Sequence, residues 1–360
     1  MPRVLHVTPD LTLGGGQVLV TRLSCAAGRY EPVVASLFGP IEGQLVEQLK
    51  HAGVPILWHH KHRGPDLRAA VRLGATLRSS GADVVHTHRY ALGYAAPFLG
   101  GRPSVHTTHT LAHAEIRRGR FLHRLAFARG TLPVGVSDEV SQSLRDLYGR
   151  DDVETVLNGV DIASLATPDV DRLAWRAAVG LPAEAVVIAV VARLDPVKNH
   201  SLLLDAFRGL PGVHLAVAGD GPERDAVTKR IARHPHRDQI HLLGNRTDVR
   251  ELLHAVDIVA LSSQREGIPL SILEAMAVGR AVVAPAVGGL PSVLDHGRTG
   301  LLVPPGDADT LNQAFRDLAL DAKRRRALGD AARQEAIARF DVRQTVAAYE
   351  RLYDTVRVSA

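Results

Sequence analysis

The chain has 360 residues, of which 46% are hydrophobic, enough for two domains with substantial cores. Its longest apolar run, Ala185 to Ala192, falls far short of the roughly 20 residues a membrane span needs, and the first residues show no signal-peptide pattern. The single cysteine, Cys25, excludes an intrachain disulfide and fits a reducing compartment, so a cytoplasmic location is expected, with Cys25 packed on its Ala-rich helix.

Apolar β-branched runs alternate with helical periods along the whole chain, the pattern of parallel α/β architecture. In the first half, strands are predicted at Val4–Thr8, Val33–Leu37, Pro55–Trp58, Asp83–His88, Ser104–Thr108, Leu132–Val136 and Val153–Leu157. Helices fall near 17–27, 42–52, 66–79, 117–128 and 138–147. Residues 161–184 are mixed and turn-rich and read as an interdomain linker. A second series follows, with strands Val186–Ala192, His214–Ala218, Ile240–Leu243, Asp257–Leu261, Ala281–Ala284 and Leu301–Val303. Its helices lie near 199–208, 222–232, 248–254 and 270–278, and a helical tail spans about 308–357, broken near Phe340. The expected organisation is two Rossmann-like domains facing each other across a cleft, 1–165 and 166–340, with 341–360 as a last helix.

Chemistry concentrates at strand ends. Glu266 and Glu274 stand eight residues apart across the start of the 270–278 helix, with Pro269 suited to its first turn. Leu270, Leu273 and Ala277 face a core. The helix mouth, from Gly267 through Ile268 and Pro269 to Leu270, offers N–H groups and a dipole to an anion. Two acids beside an anion site suit a ligand rich in hydroxyls and phosphate, the chemistry of a nucleotide sugar. The plainer reading is a surface helix with a loop carboxylate. Arg193 and Lys198 follow a buried strand, where two cations would neutralise a leaving diphosphate; an interdomain salt bridge is the alternative for Arg193. Gly14-Gly15-Gly16 follows the opening strand and lets backbone approach a ligand.

In combination these motifs identify the chain as a member of the retaining GT-B glycosyltransferases of family 4, the glycosyl transferases group 1. The likeness rests on Glu266-Gly-Ile-Pro-Leu-Ser-Ile-Leu-Glu274-Ala-Met, Arg193 to Lys198, Gly219-Asp-Gly221 and Gly288-Gly289-Leu-Pro291. It implies a C-terminal domain holding a nucleoside-diphosphate sugar (a UDP-sugar favoured, a GDP-sugar as alternative) and an N-terminal domain taking a hydroxyl-bearing acceptor. The last helix would cross back onto the first domain. By resemblance, Glu274 binds ribose, Arg193 and Lys198 the diphosphate, and Glu266 the sugar hydroxyls. Gly244 and Asn245 would meet the base through backbone groups, and Gly15 and Gly16 would lie near diphosphate and acceptor. His109 would stand beside the reacting centre, with His106 as its rival. Ser292 stands where the family's turn has Glu, so a contact from that side chain is not carried over. Asn158-Gly-Val-Asp161 matches the segment ending the family's first domain and reads as structural.

His86 and His88 share one strand face, which raises zinc, but no Cys or paired carboxylate accompanies them. No acidic triplet sits at a strand end; Asp307 reads as a helix N-cap. No cofactor and no metal are therefore expected. The run His59 to His62 reads as a solvated loop. The first 165 residues carry a net charge of +4, and Arg117, Arg118, Arg120, Arg124 and Arg129 alternate with Phe121, Leu122, Leu125 and Phe127. That segment offers a peripheral contact with anionic membrane at its inner face, or is a solvated helix with one packed face. Two rival functions stay open: a nucleotide-sugar epimerase on the same fold, and a basic non-catalytic binding protein. Aromatic content of 4% gives no reading face for nucleic acid.

Overall fold

In the computed structural model the chain divides into two compact units, residues 1–159 with 342–360, and residues 160–341. The description covers residues 1–12, 14–26, 28–115 and 119–358, so Arg117 and Arg118 lie outside it.

The first unit holds β1 (Arg3–Thr8), β2 (Glu31–Ser36), β3 (Ile56–Trp58), β4 (Val84–His88), β5 (Ser104–Thr108), β6 (Leu132–Gly135) and β7 (Glu154–Thr155), all parallel, in the order 3-2-1-4-5-6-7. The second holds β8 (Val186–Val191), β9 (Val213–Ala218), β10 (Ile240–Gly244), β11 (Ile258–Ala260), β12 (Ala281–Pro285) and β13 (Leu301–Val303), parallel, in the order 10-9-8-11-12-13. Helices cover both faces of such sheets, so the strands need apolar side chains on each side. Val187, Ile188, Ala189 and Val190 of β8 are each at most 1% exposed. In each sheet the strand order reverses beside the first strand, between β1 and β4 and between β8 and β11. Ligands of open α/β sheets bind outside the carboxyl ends at that point.

The helix Val342–Val358 belongs to the first unit, as the resemblance implied. Val342, Val346, Tyr349, Tyr353 and Val356 pack against Val4, Leu19, Val84, Val105 and Val134. Tyr353 and Tyr349 also bond the sheet, their hydroxyls lying 2.7 Å from His86 Nδ1 and 2.9 Å from Thr107 Oγ1. Thr345 donates to the Leu157 carbonyl, and Gly159 lies so close to Val342 that a side chain there would collide with its backbone, which accounts for the Asn158–Asp161 segment structurally.

The expected linker is the main departure. Residues 160–184 fold with the second unit and include helices Ile162–Leu165 and Arg172–Ala178, capped by Asp161 and Asp171. Trp175 is 4% exposed and donates to Asp248. Arg176 is fully buried and donates to the carbonyls of Ala183, Ala185 and Ala255 and to Asp257 at 2.7–2.9 Å. Turn-rich composition concealed an anchored helix. The His59–His62 segment is likewise not simply solvated. His59 is buried against Ser36 and Thr76, and the Lys61 ammonium donates to two carbonyls while lying 4.6 Å from the Phe38 ring. Cys25 is exposed rather than packed, because it closes its helix on the outward face. The helix expected at 117–128 begins at Arg120, after Gly119 in the left-handed region at φ +81°.

Candidate functional site

In the second unit the acidic pair lies at the strand-order reversal. Helix Leu270–Ala277 follows the loop from β11, and the Pro269 carbonyl accepts from Ile272. Among the described residues no side chain caps its N-terminus. Leu270, Leu273 and Ala277 are buried, as their spacing required, and Glu274 sits part-buried one turn inside. Glu266 is only 7% exposed, and both its oxygens accept from Lys198 Nζ, at 2.6 and 2.8 Å.

That pair is held from both sides. Asp195 caps the turn Pro196–Lys198 by accepting from the Val197 and Lys198 amides. Ser262 donates to the carbonyls of Lys198 and Asn199, and the Gln264 amide donates to Val197. Behind Glu266, Gly288 adopts φ +58°, and a Cβ there would lie 1.7 Å from the Glu266 carbonyl oxygen. Only glycine fits so close an approach. Gly289 donates to the Gly267 carbonyl at 3.0 Å. Ser292 bonds its own turn, donating to the Gly289 carbonyl.

Arg193 projects into solvent beyond β8, with no hydrogen-bond or ion-pair partner for its side chain among the described residues. The Leu194 amide donates to Asp220, and the Gly219 amide to Gly244. These bonds knit the ends of β8, β9 and β10, and a Cβ on Gly219 would fall 1.9 Å from the Ala192 carbonyl oxygen. Asn245 is exposed beside them. The carboxyl ends of β8, β10 and β11 thus carry the Lys198–Glu266 ion pair, the Arg193 guanidinium, Gly244 with Asn245, and the helix mouth running from Gly267 through Ile268 and Pro269 to Leu270, with Glu274 one turn inside. Such a surface can take an anion and hydroxyl groups together.

In the first unit, Gly15 and Gly16 form the opening turn of helix Gly15–Cys25, two residues earlier than expected. Asp10 orders the loop before it by accepting from Thr12 and Gln17. A Cβ on Gly16 would touch both His109 and Arg89 at 3.4 Å. His109 follows β5 at the sheet's carboxyl end. Glu115 Oε2 accepts from the His109 and Thr110 amides at 2.8 and 3.0 Å, fixing this loop. Burial pushes the Glu115 carboxyl up to about 7 and, with Arg89 nearby, the His109 imidazole down to about 3. Nothing in the local spacing marked Glu115 or Arg89. His106 points elsewhere: it is fully buried, 2.9 Å from Thr87 Oγ1, with its ring against His123 and Phe127.

His6, His86 and His88 bring ring nitrogens within 4.8 Å of one another. The His86 and His88 rings are tilted against each other at 36°, with centroids 4.0 Å apart. Both His86 nitrogens already meet hydroxyls, on Tyr353 and Thr107. Hydrogen bonding accounts for this cluster.

Residues 171–335 match the family model described as glycosyl transferases group 1, and residues 13–164 that of glycosyltransferase family 4. The D-inositol 3-phosphate glycosyltransferase of Mycobacterium ulcerans is 33% identical over 63% of this chain and 54% of its own. That of Mycobacterium tuberculosis is 35% identical over 61% of this chain and 50% of its own. The chain therefore spans about half the length of the curated relatives it matches. Among solved structures, Anabaena Alr3699/HepE in complex with UDP-glucose superposes with a TM-score of 0.86 at 23% identity, covering 98% of this chain and 99% of that one. Sucrose-phosphate synthase from Thermosynechococcus elongatus gives 0.84 at 20% identity, over 99% and 100%. At such identities the likeness establishes the fold, which is GT-B.

Proposed function

Because this chain belongs to the group 1, family 4 glycosyltransferases, we propose that it moves a sugar from a nucleoside-diphosphate sugar to a hydroxyl of a small-molecule, glycan or lipid-linked acceptor. A UDP-sugar is the favoured donor and a GDP-sugar the alternative. The UDP-glucose complex of the similar Anabaena protein supports that order. The observation that carries the reading is the buried Glu266 carboxylate clamped by Lys198 beside the mouth of the Leu270–Ala277 helix.

On this reading Glu274 takes the ribose hydroxyls and Arg193 with Lys198 the diphosphate. Glu266 grips the sugar hydroxyls, and the backbone from Gly267 to Leu270 lines the helix mouth. Gly244 and Asn245 offer backbone groups to the base. His109, Gly15 and Gly16 are the first unit's contribution to sugar, diphosphate and acceptor. Arg193 and Lys198 stand in for a metal in neutralising the leaving diphosphate. The family resemblance implies retention, for which the proposed route is front-side attack, the leaving phosphate accepting the acceptor's proton. Contact with anionic membrane through Arg120, Phe121, Arg124 and Arg129 belongs to the same proposal; Phe121 is 75% exposed there.

The direct test is thermal unfolding without metal against UDP, GDP, ADP and their sugar conjugates. A ligand at about a hundred times its dissociation constant stabilises by roughly 2.7 kcal/mol. A selective shift with one nucleoside diphosphate and its sugar supports the assignment; the absence of any shift overturns it. Conversion of the donor without an acceptor would point to the epimerase instead.

A further inference from the structure

Three histidines of the first unit form a continuous hydrogen-bonded line. His109 Nε2 lies 3.3 Å from His88 Nδ1, and His88 Nε2 lies 3.3 Å from His6 Nδ1. Successive rings are 5.5 and 5.6 Å apart. His88 and His6 are 0% and 1% exposed. His86 lies beside the line but bonds away from it, to Tyr353 and Thr107. At the far end, His6 lines a small cavity with Tyr30, Tyr349, Glu350 and Tyr353.

A neutral imidazole carries one N–H and one lone pair. Each link needs one donor and one acceptor. If His109 donates from Nε2, His88 accepts at Nδ1, carries its proton on Nε2 and donates to His6 Nδ1. If His6 donates from Nδ1, the same logic puts the proton on Nδ1 of all three. Mixed arrangements set two lone pairs or two protons against each other. The three rings therefore share one tautomer.

We propose that His88 and His6 are positioning residues that determine, through these two bonds, which nitrogen of His109 carries its proton. The outer nitrogen of His109, Nδ1, is then either a committed acceptor or a committed donor. That His109 meets substrate rests on the function proposed above; the coupling of the tautomers does not. A ring held in one tautomer and one orientation by a buried neighbour is pre-organised for whichever role its outer nitrogen has.

The test is a two-bond proton–nitrogen spectrum of the full chain labelled with 15N-histidine, at mildly alkaline pH, with the three rings assigned by substitution. His6, His88 and His109 are expected to carry the proton on the same nitrogen. Opposite tautomers on any two of them overturn the proposal, and the unsubstituted protein already decides this. In His6→Leu, His88 Nε2 has nothing to donate to, and a buried orphan donor costs more than an orphan acceptor. Both His88 and His109 should then carry the proton on Nδ1; opposite tautomers on the two refute the coupling, and a proton on Nε2 of both refutes control by His6. Turnover is a separate readout. If His109→Ala retains full turnover, the coupling stands but His109 leaves the reaction, so the earlier reading alone fails.

Discussion

The central strand of the first unit, β1, reads Arg-Val-Leu-His-Val-Thr, and its counterpart β8 reads Val-Val-Ile-Ala-Val-Val. The flanking strands diverge further. β4 and β5 bury His86, Thr87, His88, His106, Thr107 and Thr108, whereas β11 and β12 are wholly apolar. Both nevertheless build the same parallel order over six strands, to which the first adds β7. A parallel sheet thus tolerates a polar interior when the polar atoms pair with one another, as His86 does with Tyr353 and Thr107. What differs is the consequence: the first sheet responds to protons far more than the second, whose strands carry only the His214–His241 pair among the described residues.

The largest expected effect follows from that difference. Seven histidines of the first unit have imidazoles held below their ordinary range mainly by burial, against three in the second, among the described residues. A folded value below the unfolded one means stability that is full above about pH 6.5 and is lost as pH falls toward the folded value, about 3 for His6 and His109. Glu115, raised to about 7, acts in the opposite sense, losing stability as pH rises from its unfolded range through about 7. Seven groups against one decide the sign. Hydrogen exchange followed down through pH 4–5 should show the first sheet opening before the second. Simultaneous opening would break the comparison.

Next in size is Glu266→Ala, which acts only on the second unit. It should lower kcat by roughly a hundredfold or more. Lys198 would be released from its partner, so affinity for a nucleoside diphosphate should hold or rise, as read by calorimetry. Loss of nucleotide binding would instead make Glu266 part of the nucleotide site or of the fold.

Arg176→Met tests a buried charge network of the aliphatic side, away from the Lys198–Glu266 pair. It leaves Asp257 and three carbonyls short of a donor, and should cost about 3–5 kcal/mol in urea denaturation, confined to the second unit. Tyr353→Phe is the smallest and falls on the first unit. It orphans His86 Nδ1 and should cost about 1–3 kcal/mol, with no change in the second unit's transition.

What could be read in advance follows from the range of the physics involved. Alternation of apolar runs, the Glu266–Glu274 spacing and the cap at Asp307 are local, and each stands where its pattern implied. The line from His109 through His88 to His6 is not local. It depends on β1 lying in register beside β4, with His6 opposite His86, and no spacing along the chain encodes that neighbour. The Lys198–Glu266 bond likewise joins two strand ends that only the β8–β11 pairing brings together. Arg176 was hidden for a different reason: a charged side chain in a turn-rich stretch looks solvated until the carbonyls that surround it are known.

The placement of the last helix has a consequence for synthesis on the ribosome. Residues 160–341 form a continuous unit, but the first unit is completed only by residues 342–358. While the intervening stretch is being made, Val4, Leu19, Val84, Val105 and Val134 lack their apolar cover, and His86 lacks the Tyr353 hydroxyl. The half synthesised first is therefore the half that finishes last. The nascent chain carries an open, sticky sheet for the whole of that interval, the kind of surface that chaperones exist to shield.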